Sequence, residues 1–360
     1  MSLIALSSFV QPTIHTMQLR NLFSAAVLAA TTLAQAPIST VYQFANSFSG
    51  VGYVNIENVA LRKSNGQLLL NFVTGAIMAQ LDPANPVPEV LVNISSLYPG
   101  APASLTGIDQ IGDDVYAVNA GNFQFGPQVP GGVAGIAGSF SVWSVDLSAT
   151  PAQASQIVAI PEAGLLNGLT AVNKDVVLLA DSALGAIWRV DIKAGTYEQV
   201  LADPLFLPNP GVINFGINGI KYQKPYLYFT NSAQGTFGAI PFGPNGYPGG
   251  AAQPFVYAPN GTYFDDFALS GSGAYLATHP NAIYKAVEGS SDPILVAGGG
   301  ADTTFAGAPT SCVFGADGET LYVVTGGLGG GPTGPVSGGV YAINVASSAA
   351  KKLVRRFFKA

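Results

Sequence analysis

Charge is scarce in this sequence. Asp, Glu, Lys and Arg make up 9% of 360 residues, and 20 acids against 14 bases leave a net charge of −6. No basic stripe is present, which argues against a nucleic-acid partner. Five of the bases (Lys351, Lys352, Arg355, Arg356 and Lys359) fall in the last ten positions, so residues 351–360 read as a basic, solvated tail. Cysteine is down to Cys312, which excludes a disulfide within the chain. Histidine is limited to His15 and His279. His15 falls within residues 1–34, read as a presequence, so a zinc site built on two or three histidines is excluded, and no Gly-x-Ser-x-Gly elbow exists to pair His279 with a nucleophilic serine. The Gly329-Gly-Gly-Pro-Thr-Gly334 stretch matches a dinucleotide fingerprint through glycine abundance alone; it contains proline and opens no helix.

Long apolar runs are missing too, apart from one near the N-terminus. Arg20 precedes an apolar stretch from Leu22 to Leu33, and Thr32-Leu33-Ala34 offers small residues for cleavage. This is the layout of a secretory signal, with Met17 as an alternative start, and residues 1–34 are read as a presequence. The run is too short for a stable membrane span, which takes roughly 20 residues. The expected location is therefore the secretory pathway, either secreted or in an endomembrane lumen. Two sequons, Asn93-Ile-Ser95 and Asn260-Gly-Thr262, are either glycosylation sites that fit this route or chance matches.

What the chain has in quantity is glycine, proline and aromatics: 44 Gly, 25 Pro, 20 Phe and 15 Tyr. Such a content of aromatics with so little charge excludes intrinsic disorder. One pattern recurs along it: a short apolar strand, a turn rich in Gly, Asn or Asp, and a second apolar strand with a small or polar end. Thr106-Gly-Ile-Asp-Gln-Ile-Gly-Asp-Asp114 before Val115-Tyr-Ala-Val-Asn119 is one copy, and Asn167 to Asp181 is another. The second strands begin near Leu68, Val115, Val176, Tyr226, Tyr275 and Leu321, at intervals of 47, 61, 50, 49 and 46 residues. Third strands follow, such as Ala186-Ile-Trp-Arg-Val-Asp191. Four strands per roughly 40–50 residues is the signature of propeller blades. Six copies predict an all-β, six-bladed propeller over residues 35–350, with four-stranded antiparallel blades around a central channel. The 61-residue interval holds a Gly/Pro-rich insertion from Gly121 to Gly138.

In a propeller, the start of each first strand and the end of each second strand share one mouth of the channel. The first-strand starts are Glu57/Asn58, Thr106, Asn167, Asn218, Asp265/Asp266 and Thr310/Ser311; the second-strand ends include Asn71, Asn119, Asp181, Asn231 and His279. A ring of carboxylates and amides is thus expected on the axis. Glu57, Asn167, Asn218 and Asp265 are oxygen donors of the kind a hard divalent cation accepts. The same Asn-Gly and Asp positions also suit simple turns entering strands. His279 is either a proton donor or a hydrogen-bonded loop residue, and Cys312 reads as buried packing.

With these residues in place, the sequence resembles the senescence-marker-protein/gluconolactonase family of six-bladed propellers over residues 40–345. The resemblance implies a divalent cation, Ca or Mg, on the axis. Its ligands would be Glu57 in Ile56-Glu-Asn58, Asn167 in Leu166-Asn-Gly168, Asn218 in Ile217-Asn-Gly219 and Asp265 in Phe264-Asp-Asp266. Two departures stand out: Leu165 occupies the position where the sugar-lactone hydrolases carry Arg, and Asp266 stands where Gly usually follows the Asp. The wording of Pro161-Glu-Ala-Gly-Leu-Leu-Asn-Gly168 and of Ala180 to Asp191 is similar to a fungal secretory branch of the family. Its best-known activity is a hetero-Diels–Alder cyclisation, joining a quinone methide from a tropolone or polyketide to a terpene such as humulene.

The resemblance therefore implies a pericyclase of secondary metabolism that needs no cofactor and takes small apolar substrates. Asn167, Asn218, Asp265 and His279 are the expected catalytic groups. Tyr98, Phe123, Phe125, Phe215, Tyr263 and Phe264, with Phe206 and Phe305 nearby in the mouth loops, are expected to wall an apolar pocket, about half of these aromatics packing between blades instead. The alternative is a metal-dependent lactonase with Asp265 or Asp266 activating water, and a non-catalytic ligand-binding propeller is the third reading.

Overall fold

A computed structural model describes residues 35–97, 103–125, 133–209, 213–287, 289–305, 307–327 and 336–346. The expectations for the presequence and the basic tail lie outside the described residues. Six four-stranded antiparallel sheets follow one another along the chain and form the blades of a propeller. Their inner strands are Ile56–Arg62, Ser104–Gly112, Leu166–Asn173, Ile217–Gln223, Tyr263–Ser270 and Pro309–Phe314. The second strands, from Gln67–Phe72 through Thr320–Thr325, begin within two residues of the starts expected from the repeat. Tight turns join them, as at Asn65-Gly66, where Gly66 takes φ +75°, a conformation that costs glycine least.

One strand was not legible in the repeat. Ile38–Gln43 pairs antiparallel with Gly339–Asn344 and becomes the outermost strand of the sixth blade. The two ends of the ring are thereby held by a hydrogen-bonded ladder. The insertion in the second blade forms a small hairpin, Phe123–Phe125 against Val133–Gly135. The only α-helix among the described residues is Ile94–Leu97, and no described helix is long and apolar enough to cross a membrane.

The core is divided among the gaps between blades. In one gap Tyr228 and Phe237 of the fourth blade meet Phe264, Phe267 and Leu276 of the fifth. Phe206 packs in a cluster with Ile217 and Phe229, and Phe305 packs with Tyr341 in the cluster that joins the fifth and sixth blades. These three aromatics, expected at the mouth, are buried packing instead. Phe264 follows from strand alternation, because Tyr263 and Asp265 take the opposite face. Cys312 is buried with its Sγ 3.3 Å from the Tyr275 carbonyl, and burial pushes its thiol up. It is inert packing.

Candidate functional site

Each inner strand breaks register near its start. The shifts fall at Ile56/Asn58, Leu105/Ile108, Leu166/Leu169, Ile217/Ile220, Phe264/Phe267 and Pro309/Ser311. Bulges of this kind re-aim a side chain, and here they release Glu57, Thr106, Asn167, Asn218, Asp265 and Thr310 toward the axis. The Asn-Gly pairs are therefore not turns. A Cβ on Gly168 would lie 2.3 Å from the Asn218 carbonyl, and one on Gly219 would lie 2.2 Å from Asp266 Oδ1. Glycine follows each asparagine because the neighbouring inner strand passes too close for a side chain.

The released groups line a cavity of about 290 Å³ at the mouth. Glu57, Asn167, Asn218, Asp265 and His279 form its polar part, with Thr106 and Thr310. Phe123, Phe215, Leu165, Val73, Val133 and Ala308 supply apolar walls. Tyr263 stands one layer back: its ring is stacked on His279 at 4.4 Å and meets Phe215 edge-on at 6.5 Å. Tyr98 and the Phe125 side chain lie outside the described residues. Tyr53 and Asn55 also line the chamber and were missed by the sequence reading. Both immediately precede the first inner strand, and that position was the available signal.

Of the second-strand ends, His279 joins the ring, and the others do not. They staple neighbouring blades: Asn71 Nδ2 donates to the Thr106 carbonyl at 2.9 Å, Asn119 Nδ2 to the Asn167 carbonyl at 2.9 Å, and Ser232 Oγ to the Phe264 carbonyl at 2.8 Å. The Asp181 carboxylate accepts from the main-chain N–H groups of Gly164 and Leu165 at 2.9 and 3.0 Å, which fixes Leu165 at the chamber wall. Asp266 is also re-assigned. It accepts from Lys221 Nζ at 2.7 Å, Ser311 Oγ at 2.9 Å and Asn58 Nδ2 at 3.1 Å, so it is committed below the chamber floor and does not line it.

The electrostatics favour an uncharged floor. Burial, then the nearby Asp265, pushes the Glu57 carboxyl up to about 8, with Asp266 adding and His279 opposing. Burial first and Asp266 second hold Asp265 well above the usual carboxylate range, while its hydrogen bond with Asn218 opposes. Burial pushes the His279 imidazole down to about 4, with Glu57 opposing. His279 Nε2 lies 2.8 Å from Asp265 Oδ2. Near neutral pH the floor thus pairs a neutral imidazole with a Glu57 carboxyl that is largely protonated, and burial shifts Asp265 in the same direction as Glu57.

The same groups also form a candidate cation cage. Among the described residues, no three His, Cys, Asp or Glu side chains gather into a metal-binding group. The mixed set does fit a hard cation in donor chemistry. Asn218 Nδ2 donates to Ser232 Oγ at 2.9 Å, which leaves its buried Oδ1 without a hydrogen-bond partner. That orphan oxygen stands with two carboxyls whose charge a cation would balance.

The fold defines the class: a six-bladed propeller of the regucalcin and gluconolactonase architecture. A calcium-binding regucalcin of Agrobacterium tumefaciens superposes with a TM-score of 0.59 at 12% identity, covering 86% of this chain and 93% of that one. A gluconolactonase of Xanthomonas campestris does so with a TM-score of 0.57 at 13% identity, covering 88% and 91%. In sequence, the chain is similar to asR5 of Sarocladium schorii, named as a candidate hetero-Diels–Alderase, with 27% identity over 242 residues. The match covers 60% of this chain and 58% of that protein, so it spans less than two thirds of the relative. No known family model matches the chain.

Proposed function

We propose that this chain is a pericyclase of the hetero-Diels–Alderase type. It joins an electron-poor heterodiene, such as a quinone methide from a tropolone or polyketide, to an alkene of a terpene such as humulene. The observation that carries the reading is the pairing of apolar walls, Phe123, Phe215 and Leu165, with a polar floor of Glu57, Asn167, Asn218, Asp265 and His279, whose acids burial shifts toward their neutral forms. In such a cycloaddition two σ bonds form as three π bonds become one. No atom is gained or lost, and the reaction asks the protein for no nucleophile and no general base.

Orientation is the first contribution. Holding two apolar partners face to face is worth up to roughly 7–11 kcal/mol of barrier in well-aligned systems. The floor makes the second. A carboxyl donor at Glu57, with Asn167, Asn218 and the His279–Asp265 pair, would hydrogen-bond the heterodiene oxygen as negative charge builds on it. A cation on Glu57, Asn167, Asn218 and Asp265 would supply Lewis-acid polarisation of that same oxygen. The aromatic walls set which faces meet. The resemblance to asR5 supports the reaction class, and the secretory layout of residues 1–34 supports formation in the secretory route.

A metal-dependent lactonase is the second reading, favoured by the orphan Asn218 oxygen beside two carboxyls. It has less support in the general base, because Asp266 is spent on Lys221 and Leu165 replaces the arginine of sugar lactonases. Incubating the purified protein with a quinone-methide precursor and humulene, with and without EDTA, tests the proposal. Adduct formation above background with a fixed stereochemistry is expected. Adduct at the protein-free level, together with chelation-sensitive hydrolysis of simple lactones, would replace the first reading by the second.

A further inference from the structure

The described residues line a second chamber along the channel. The inner strands that open on the mouth chamber at Glu57, Thr106, Asp265 and Thr310 continue downward into a second cavity. There they present Leu61, Ile108, Phe267 and Phe314, two to four residues further along. This lower chamber measures about 310 Å³, no smaller than the upper one. Between the two lies the buried layer formed by Asn58, Asp266 and Ser311.

The lower chamber has an unbalanced supply of hydrogen bonds. The one carboxylate among its lining residues, Asp109, is spent: Oδ1 accepts from Gln110 N at 2.8 Å, and Oδ2 from Ala171 N at 2.8 Å and Thr170 Oγ1 at 3.2 Å. Donors remain. Lys221 directs its ammonium to Asp266 Oδ1 and Oδ2 at 2.8 and 2.7 Å, yet its side chain stays 25% exposed. An ammonium has three protons, and two of these contacts leave one for the chamber. Lys63 lines the same chamber. An apolar wall with an unspent ammonium proton and a saturated carboxylate selects a complementary ligand.

We propose that the lower chamber is a second small-molecule site, for an apolar molecule carrying an acceptor oxygen at one end. The oxygen sits at Lys221, and the hydrocarbon lies on Leu61, Val313 and Phe314. This site is independent of the reaction assigned to the mouth.

The test is calorimetric titration of the full chain with octan-2-one, using n-octane as the apolar control. The ketone is expected to bind saturably and at least about tenfold more tightly than the alkane. Val313→Trp fills the lower chamber and should abolish binding, whereas Leu165→Trp fills the upper one and should leave it intact. The paired change Lys221→Met with Asp266→Asn removes the donor without stranding a charge, and should erase the preference for ketone over alkane. Circular dichroism confirms that each variant is folded. No saturable binding to the unmodified chain would overturn the proposal. So would loss of binding in Leu165→Trp with retention in Val313→Trp, or an unchanged ketone preference in the paired variant.

Discussion

His279 Nε2 and Asp265 Oδ2 stand 2.8 Å apart on the floor of the mouth chamber, under a Tyr263 ring stacked on the imidazole. Burial moves the neighbouring groups in opposite senses, and the signs set a pH profile. Glu57 is lifted from 4.5 to about 8, so its stabilising share is present below 4.5 and is lost as pH rises toward 8. Asp265 is shifted in the same direction. His279 is lowered from 6.5 to about 4, so its share is present above 6.5 and is lost as pH falls toward 4. The two trends oppose one another between pH 4.5 and 6.5, and only the carboxyl trend continues above that range. The melting temperature should therefore fall between pH 6.5 and 8, and Glu57→Gln should flatten that fall. Parallel profiles for the two proteins in thermal scans would contradict the assignment.

A cation competes with those protons for the same oxygens. Calcium or magnesium should raise the melting temperature more at pH 8 than at pH 6, and Asp265→Asn should remove the shift. If neither ion moves the transition at either pH, the floor works through hydrogen bonding alone.

The scaffold was legible because blades repeat. The Asn-Gly copies at 167 and 218 and the strand ends at regular intervals follow from one unit that must bury both faces against its neighbours. The polar floor was legible for the same reason, since repeat position alone brings Glu57, Asn167, Asn218 and Asp265 together. Other features lay beyond the pattern. Ile38–Gln43 belongs to the last blade although it comes first in the chain, a pairing that no local signal marks. Phe264 and Phe206 have the composition of pocket walls, but strand alternation and blade packing bury them. Asp266 has the same side chain as Asp265, and only the side on which Lys221 lies separates their roles.

The separation between wall and core gives contrasting mutations. Phe215→Ala and Phe123→Ala should shift the stereochemical ratio of adducts and lower kcat/KM by about tenfold, a loss of ~1.4 kcal/mol of transition-state stabilisation. Phe264→Ala instead opens a cavity between blades and should cost about 3–5 kcal/mol of stability. Chiral chromatography of products beside denaturant titration separates the two effects.

Of the two sequons, Asn260 lies exposed in a turn. Asn93 is half-buried at a strand end, and its Oδ1 accepts from Ser95 Oγ at 2.7 Å. Expression through a secretory host should place a glycan on Asn260 in preference to Asn93. Asn260→Gln should remove the glycosidase-sensitive mass, and a mass unchanged by that substitution would assign the glycan elsewhere.

Lys221 and Asp266 form the ion pair at the centre of the ring, with the Asp266 side chain 3% exposed. The carboxylate also gathers Asn58 of the first blade and Ser311 of the sixth, while Lys221 comes from the fourth. Four inner strands thus share one buried charge. Removing one partner strands the other in a low-dielectric layer, which costs more than the pair itself contributes. Lys221→Met should destabilise the fold by about 3–5 kcal/mol, whereas Lys221→Met with Asp266→Asn should recover a large part of that loss. Urea titrations of the two single variants and the double variant measure the coupling directly. Additive losses would mean that Asp266 is held by its hydroxyl and amide neighbours without Lys221, and the partition between the two chambers would then not depend on the ion pair.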